Sequence, residues 1–286
     1  MGASYLSKLA LPGVHSYTCP VNDAHIQDAR GDDIEILTWL HPKNGTSVDY
    51  SPTAIPILRA KHGTEPSASV LIYSHGNAED VSMTYAWISY LSRRFEMDVL
   101  AYDYTGYGTN YTAASDESIY DNAMSVVAYV KARLTSYEHV ILYGRSIGTA
   151  PAAYAAVHAQ GIDGVILQSA FCSIVTTRLP MFMKKYVPRC VDMLFNADLL
   201  KKCDVPVLLI HGKKDKVVPF SHALQLAQLP CVWAHCWIDG AQHNDLEAVE
   251  LYREEMCTSI HHFIQSIDHT STMHSPPQGK AETRRP

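Results

Sequence analysis

The 286-residue sequence predicts an α/β fold, with a mostly parallel central sheet and helices on both of its faces. Three observations carry this. Short runs that are apolar on both sides recur along the chain. Segments of helical period separate them. Most of the runs end in a glycine-bearing turn. Runs apolar on both sides mark strands buried on both faces, and strand–helix alternation marks βαβ units.

The elements follow in order. Residues 1–33 show no periodicity and form an irregular N-terminal segment. Ile34 to Leu40 alternates imperfectly, as an edge strand does. Val70-Leu-Ile-Tyr-Ser74 is the first interior run, ending at His75-Gly76. Met83, Trp87, Tyr90 and Leu91 then fall at helical spacing. Asp98 to Tyr104 is a second run, closed by Thr105-Gly-Tyr-Gly108. Asp116 to Leu134 reads as an amphipathic helix, with Ile119, Ala123, Val126, Val127, Val130 and Leu134 on one side. His139 to Tyr143 is a third run, Thr149 to Ala159 an Ala-rich helix, and Gly164 to Gln168 a fourth run. Residues 171–203 are long enough for a small lid only, and contain the apolar Leu179, Met181, Phe182 and Met183. Val205 to Ile210 and Cys231 to Ile238 complete the runs. Asp245 to Ile267 reads as a final helix, so the domain spans 34–267. Residues 268–286 are polar, contain Pro276-Pro277, and read as a disordered tail.

Composition narrows the function. The formal net charge is −6, which argues against a nucleic-acid partner, whose electrostatic footprint is basic. The seven cysteines are odd in number and form no CxxC pair, so free thiols in a reducing, cytoplasmic setting are expected. No metal and no cofactor are expected. No stretch approaches the 18 apolar residues of a membrane span. Met1-Gly2 begins a myristoylation pattern, but Leu6 stands where Ser or Thr belongs and Ser7 comes one place late. A single such chain would give only weak, peripheral membrane association.

In open sheets of this kind chemistry sits outside the carboxyl ends of the strands. Gly144-Arg-Ser-Ile-Gly148 lies there, between a run and a helix. This is GxSxG in strand–turn–helix context, where a sharp turn lifts the Ser146 hydroxyl above the sheet. The pentapeptide alone arises by chance in about one chain in ten of this length, so the context carries the weight. A serine nucleophile needs a base, and the base needs an orienting acid. The chain order Ser, then acid, then His selects Asp215, past the run ending at His211-Gly212, and His243, past the last run. His211 precedes Asp215 and is assigned to structural hydrogen bonding. Asp245 is assigned to the start of the last helix, where the dipole favours it. Asp103 precedes the nucleophile and is expected to tie its loop. In Ser74-His-Gly-Asn-Ala78, the backbone N–H of Asn77 is the expected first oxyanion donor, with that of Ile147 as the second, and His75 braces the loop.

These motifs, with Tyr102-Asp-Tyr-Thr-Gly-Tyr-Gly108, Phe220-Ser-His222 and His243-Asn-Asp-Leu-Glu247, span roughly residues 70–265. Together the chain resembles the α/β-hydrolases of the abhydrolase-domain-containing 17 subfamily, the protein depalmitoylase-like hydrolases. The resemblance implies the α/β-hydrolase fold, with Ser146 as nucleophile, Asp215 as acid and His243 as base. It also implies an acyl ester or acyl-protein substrate. Two features depart from the subfamily. The N-terminal cysteine cluster is absent, with Cys19 standing alone, and Arg145 occupies a position usually held by Gln. The expectation is a serine hydrolase of acyl esters or thioesters. A small esterase or a peptidase of the same fold is the alternative within enzymes, and a non-catalytic binding protein the alternative outside them. The oligomeric state stays open.

Overall fold

The computed structural model describes residues 25–27, 33–48, 51, 53–63, 67–77, 79–110, 112–134, 136–178 and 192–273. Gly2, Cys19, the expected lid residues Leu179, Met181, Phe182 and Met183, and residues 274–286 lie outside them.

Ten strands of the described residues form one sheet. They are β1 (His25–Gln27), β2 (Asp33–Leu40), β3 (Ser47–Val48), β4 (Ile55–Ala60), β5 (Ser69–Ser74), β6 (Asp98–Tyr102), β7 (His139–Arg145), β8 (Gly164–Gln168), β9 (Val207–Gly212) and β10 (Val232–Ile238). The order is β1-β2-β4-β6-β5-β7-β8-β9-β10, with β3 paired to β2. From β6 to β10 every pairing is parallel; β1, β2, β3 and β4 add an antiparallel flank. The chain is thus an α/β fold with a largely parallel sheet, as the runs predicted, and an α/β-hydrolase fold, as the resemblance implied. β3 and β4 are additions, and β1 corrects the expectation that all of residues 1–33 is irregular. The sequence reading passed over β4 because Pro56 falls in it, and proline cannot donate to a ladder. Here Pro56 opposes Trp39, and its carbonyl accepts the Asp103 N–H at 3.4 Å.

The helices are α1 (Val81–Phe95), α2 (Asp116–Arg133), α3 (Thr149–His158), α4 (Asn196–Leu200), α5 (Ser221–Leu226) and α6 (Glu250–Met273). Two apolar layers, one on each face of the sheet, make the core. One joins Ile72, Leu100, Leu142 and Leu167 to Ile119, Val126 and Val130 of α2 and to the alanines of α3. The other joins Leu71, Val99, Ile141 and Ile166 to Ile88 and Leu91 of α1 and to Met256, Ile260 and Phe263 of α6. Alternation along the strands sends successive side chains to opposite layers, which is why each run is apolar throughout.

Helix starts follow local chemistry. Asp80 caps α1 by accepting the Ser82 N–H at 2.9 Å. Ser115 and Ser118 form a reciprocal capping box at α2. Three expectations are corrected. The buried face of α1 is set by Val81, Ile88, Leu91 and Phe95, whereas Met83 is 47% exposed. The last helix begins at Glu250 rather than Asp245, because residues 243–248 form turns in which the Asp245 carboxylate accepts the Gln242 N–H at 2.6 Å. Asp245 therefore closes a turn instead of opening a helix. That helix also continues past Ile267 to Met273, so the boundary of the expected tail moves beyond 268. Polar composition after Ile267 hid this, because no apolar periodicity marks residues 268–273.

The strand order reverses around β5: the chain goes out to β6, then crosses back to β7 and onward to β10. The crevice at such a switch point opens between the loops following β5 and β7. All the candidate site residues lie at this carboxyl edge.

Candidate active site

Ser146 directly follows β7 and has φ of 53°, left-handed backbone that a non-glycine residue adopts only under constraint. Its neighbours make the bend possible. A Cβ on Gly144 would collide with the Gly148 carbonyl, and one on Gly148 with the Ser74 carbonyl. Both glycines are thus required by close backbone approach.

The structure brings Ser146, Asp215 and His243 together. His243 Nε2 lies 3.0 Å from Ser146 Oγ, and Nδ1 lies 2.7 Å from Asp215 Oδ2. The Asp215 side chain is fully buried. Its other oxygen, Oδ1, accepts the N–H groups of Val217 and Val218, both at 2.8 Å. Burial alone would raise the Asp215 carboxyl. The hydrogen bond with His243 and the Val218 N–H outweigh it and hold the pKa below the ordinary carboxylate value. An ionised Asp215 keeps the His243 proton on Nδ1, which leaves Nε2 free to accept from the Ser146 hydroxyl.

His211 lies in the same loop system without joining the triad. Its Nε2 sits 2.9 Å from the Val218 carbonyl and 3.5 Å from Asp215 Oδ2. Burial pushes its pKa below the ordinary histidine value, so the neutral ring donates to Val218 and braces the acid loop.

The loop after β5 is held from several sides. The Tyr104 hydroxyl donates to the His75 carbonyl at 2.8 Å, and the Tyr107 hydroxyl donates to Asn77 Oδ1 at 2.5 Å. His75 is fully buried, stacks on Tyr104 and lies 3.3 Å from Asp103 Oδ1. That carboxylate oxygen also accepts the Val81 N–H at 2.8 Å, so Asp103 ties its loop to the start of α1. Tyr107 thus fixes the Asn77 side chain.

Sequence reasoning missed the charged cluster beside the serine. Arg145 is almost fully buried. It pairs with Glu79, contacts Glu247 through Nε at 3.0 Å, and donates from Nη2 to Asn244 Oδ1 at 3.1 Å. Glu247 also accepts from Gln168 Nε2 at 3.1 Å. Burial disfavours the charged guanidinium, but Glu247 and Glu79 outweigh it and push the Arg145 pKa further up. Burial, aided by the nearby Glu79 charge, holds the Glu247 carboxyl above its ordinary value although Arg145 pulls it down. The guanidinium is ionised in either case, and the 3.0 Å contact argues for the ion pair. One signal was legible: a charged residue closing an otherwise apolar strand demands buried counter-charges.

A cleft of about 270 Å³ opens beside the base, lined by Lys216, Val217, Gln242, His243, Asn244 and Asp245. No helix of the described residues is long and apolar enough to cross a membrane.

Comparison with known proteins agrees with this architecture. A family model described as "Serine aminopeptidase, S33" matches residues 64–197. Alpha/beta hydrolase domain-containing protein 17B of Xenopus laevis is 36% identical over 196 residues, 67% of this chain and 66% of the relative. The chain belongs to the α/β-hydrolase superfamily. Its human relative, domain-containing protein 17C, is 34% identical over 198 residues, 68% of this chain and 59% of the relative. The chain thus spans about three-fifths to two-thirds of the length of the curated relatives it matches. Among solved structures, an esterase of Pyrococcus furiosus superposes with a TM-score of 0.65 at 17% identity, over 89% of this chain and 98% of that one. A ferulic-acid-bound protein of Butyrivibrio proteoclasticus gives 0.62 at 16% identity, over 76% and 96%. These likenesses show the fold.

Proposed function

We propose that this protein is a serine hydrolase, an esterase or thioesterase that removes acyl chains, including those on protein cysteines, through a Ser146-Asp215-His243 triad. The single observation that carries the reading is the hydrogen-bonded chain from Ser146 Oγ through His243 to a buried Asp215.

The steps follow from that chain. Ser146 Oγ attacks the acyl carbonyl carbon as its proton passes to His243 Nε2. The tetrahedral oxyanion is held by the backbone N–H groups of Asn77 and Ile147, donors of a kind worth about 3 kcal/mol each. Collapse breaks the C–S or C–O bond, and the leaving thiolate or alkoxide takes the proton from His243. Water then attacks the acyl-enzyme with His243 again accepting a proton. The carboxylic acid leaves and Ser146 regains its hydrogen. Asp215 stabilises the imidazolium in both halves and is not itself protonated. Lys216, Gln242, Asn244 and Asp245 line the cleft beside Val217, and their polar ends suit a polar leaving group such as a peptide. The acyl preference rests on the resemblance to the domain-containing 17 subfamily.

The test is kcat/KM on p-nitrophenyl esters and acyl-cysteine thioesters of graded length, with a peptide p-nitroanilide alongside. Each buried CH₂ contributes up to about 0.8 kcal/mol, so activity should rise by up to about fourfold per methylene from acetyl to octanoyl. Preference for acetyl would favour a small esterase, and faster cleavage of the anilide would favour a peptidase. We further propose a mainly cytosolic enzyme.

A further inference from the structure

We propose that Arg145 is a positioning residue that holds the oxyanion loop and the general-base loop in register with the Ser146 turn. The inference rests on the serine-hydrolase reading above and assigns a role that the triad does not contain.

Arg145 adjoins the serine turn and reaches both the oxyanion loop, through Glu79, and the base loop, through Asn244 and Glu247. It is the last residue of β7, so its backbone enters the strained turn at Ser146. One side of its guanidinium pairs with Glu79, whose Oε2 accepts the Gly76 N–H at 2.9 Å. This fixes the His75–Gly76 peptide, which adjoins the one carrying the Asn77 N–H. The guanidinium also packs against that backbone, because a Cβ on Gly76 would lie 2.6 Å from Nη1. The other side reaches Asn244, the residue after His243, and Glu247 in the same turn. Glu247 is held in turn by Gln168, which accepts from the Tyr143 hydroxyl at 2.5 Å. Those two residues end β8 and line β7, so the cluster is anchored to the sheet itself.

Stability is a poor reason for such a cluster. Desolvating an arginine and two carboxylates offsets most of their attraction, and apolar residues of similar size often do as well. Placement is the better reason. The planar fork presents fixed donors in several directions at once, which a lysine ammonium cannot reproduce. A displacement of about 1 Å in a reacting group can cost about 100-fold in rate.

The test compares wild type with Arg145→Lys, Arg145→Gln and the double variant Arg145→Gln/Glu79→Gln. Three quantities are read on each folded protein: kcat and KM for p-nitrophenyl octanoate, the second-order rate of fluorophosphonate labelling, and Tm. Arg145→Gln should lower kcat and the labelling rate together, by about 10- to 100-fold, with KM within about threefold. Arg145→Lys should fall between. Removing the stranded Glu79 charge should recover part of the loss in the double variant. A cluster serving stability alone would lower Tm and leave labelling per folded molecule unchanged. Labelling of both single variants within twofold of wild type, or a loss confined to KM, would overturn the inference. If Arg145→Gln does not fold, the labelling rate of Arg145→Lys decides. Wild-type protein that neither labels nor turns over would instead bring down the hydrolase reading and this inference with it.

Discussion

Replacing Asp215 by asparagine should silence the enzyme through the wrong tautomer of His243 while leaving the fold standing. The two carboxylate oxygens have different partners. Oδ1 accepts two backbone N–H groups at 2.8 Å, and Oδ2 faces His243 Nδ1 at 2.7 Å. An asparagine must keep its carbonyl oxygen on the Val217 and Val218 donors, since its NH₂ there would meet two other N–H groups. The NH₂ then faces Nδ1 and can only donate to it. The ring proton is thereby driven to Nε2, where it points at Ser146 Oγ and cannot accept the serine proton. The corresponding tautomer error in a serine protease costs about 10⁴ in kcat, or roughly 5 kcal/mol. Stability should change by only about 1–2 kcal/mol, because the backbone donors stay satisfied and only the charge-assisted bond weakens. The assay is kcat on p-nitrophenyl octanoate, with circular dichroism and a urea titration on the same sample. A folded Asp215→Asn protein within tenfold of wild type would refute the reasoning, and Asp245→Asn, whose carboxylate only closes a turn, should stay within a few-fold.

Three further outcomes are expected. Ser146→Ala and His243→Ala should each lose about 10³-fold or more in kcat, and the double variant should be little worse than either, because the two act as a unit; additive losses would mean a misassigned residue. Gly148→Ala puts a methyl group onto the Ser74 carbonyl, backbone against backbone, and should destabilise by about 3 kcal/mol in urea unfolding; a loss below about 1 kcal/mol would show that the turn has slack. On the acid side two groups pull stability down, while His75, Asp80 and Glu247, with raised folded values, pull the other way. His211 is held neutral, with its folded pKa below the ordinary value, so the unfolded chain gains a proton first as pH drops below about 6.5. Asp215 is held low as well, so its contribution is present above about pH 4 and is lost as pH falls through its folded value. His211→Gln should flatten the upper part of that decline, read as urea midpoints between pH 7.5 and 5; an unchanged slope would remove His211 as its cause.

What the sequence made legible was what local order dictates. The strand-ending positions of Ser146, Asp215 and His243 could be read because a buried parallel strand announces itself by being apolar throughout and its end by a turn. The glycines flanking Ser146 were legible for the same reason: only a bare backbone fits where Gly148 meets Ser74. Long-range charge pairing was not. Arg145 meets Glu79 and Asn244 across 66 and 99 residues, and nothing local in either segment announces the other. The antiparallel flank was half legible. β2 alternates, but β4 is buried almost throughout and its short apolar run is broken by Pro56 and Arg59, so neither alternation nor a continuous run marks it. The start of α6 was missed because Leu246 and Val249 continue the helical spacing upstream of Glu250, while the Asp245 hydrogen bond holds that stretch as a turn.

The most direct measurement of the central claim is the site and stoichiometry of covalent labelling. A serine attacks the phosphorus of a fluorophosphonate and expels fluoride only where a neighbouring base makes its hydroxyl nucleophilic. Intact-mass analysis of labelled wild-type protein should show a single adduct, and peptide mapping should put it on Ser146 in the segment containing Gly144-Arg-Ser-Ile-Gly148. Ser146→Ala should carry none, and His243→Ala should label slower by about 10³-fold or more. An adduct on another serine, or a folded wild-type protein that takes up no label, would contradict the account.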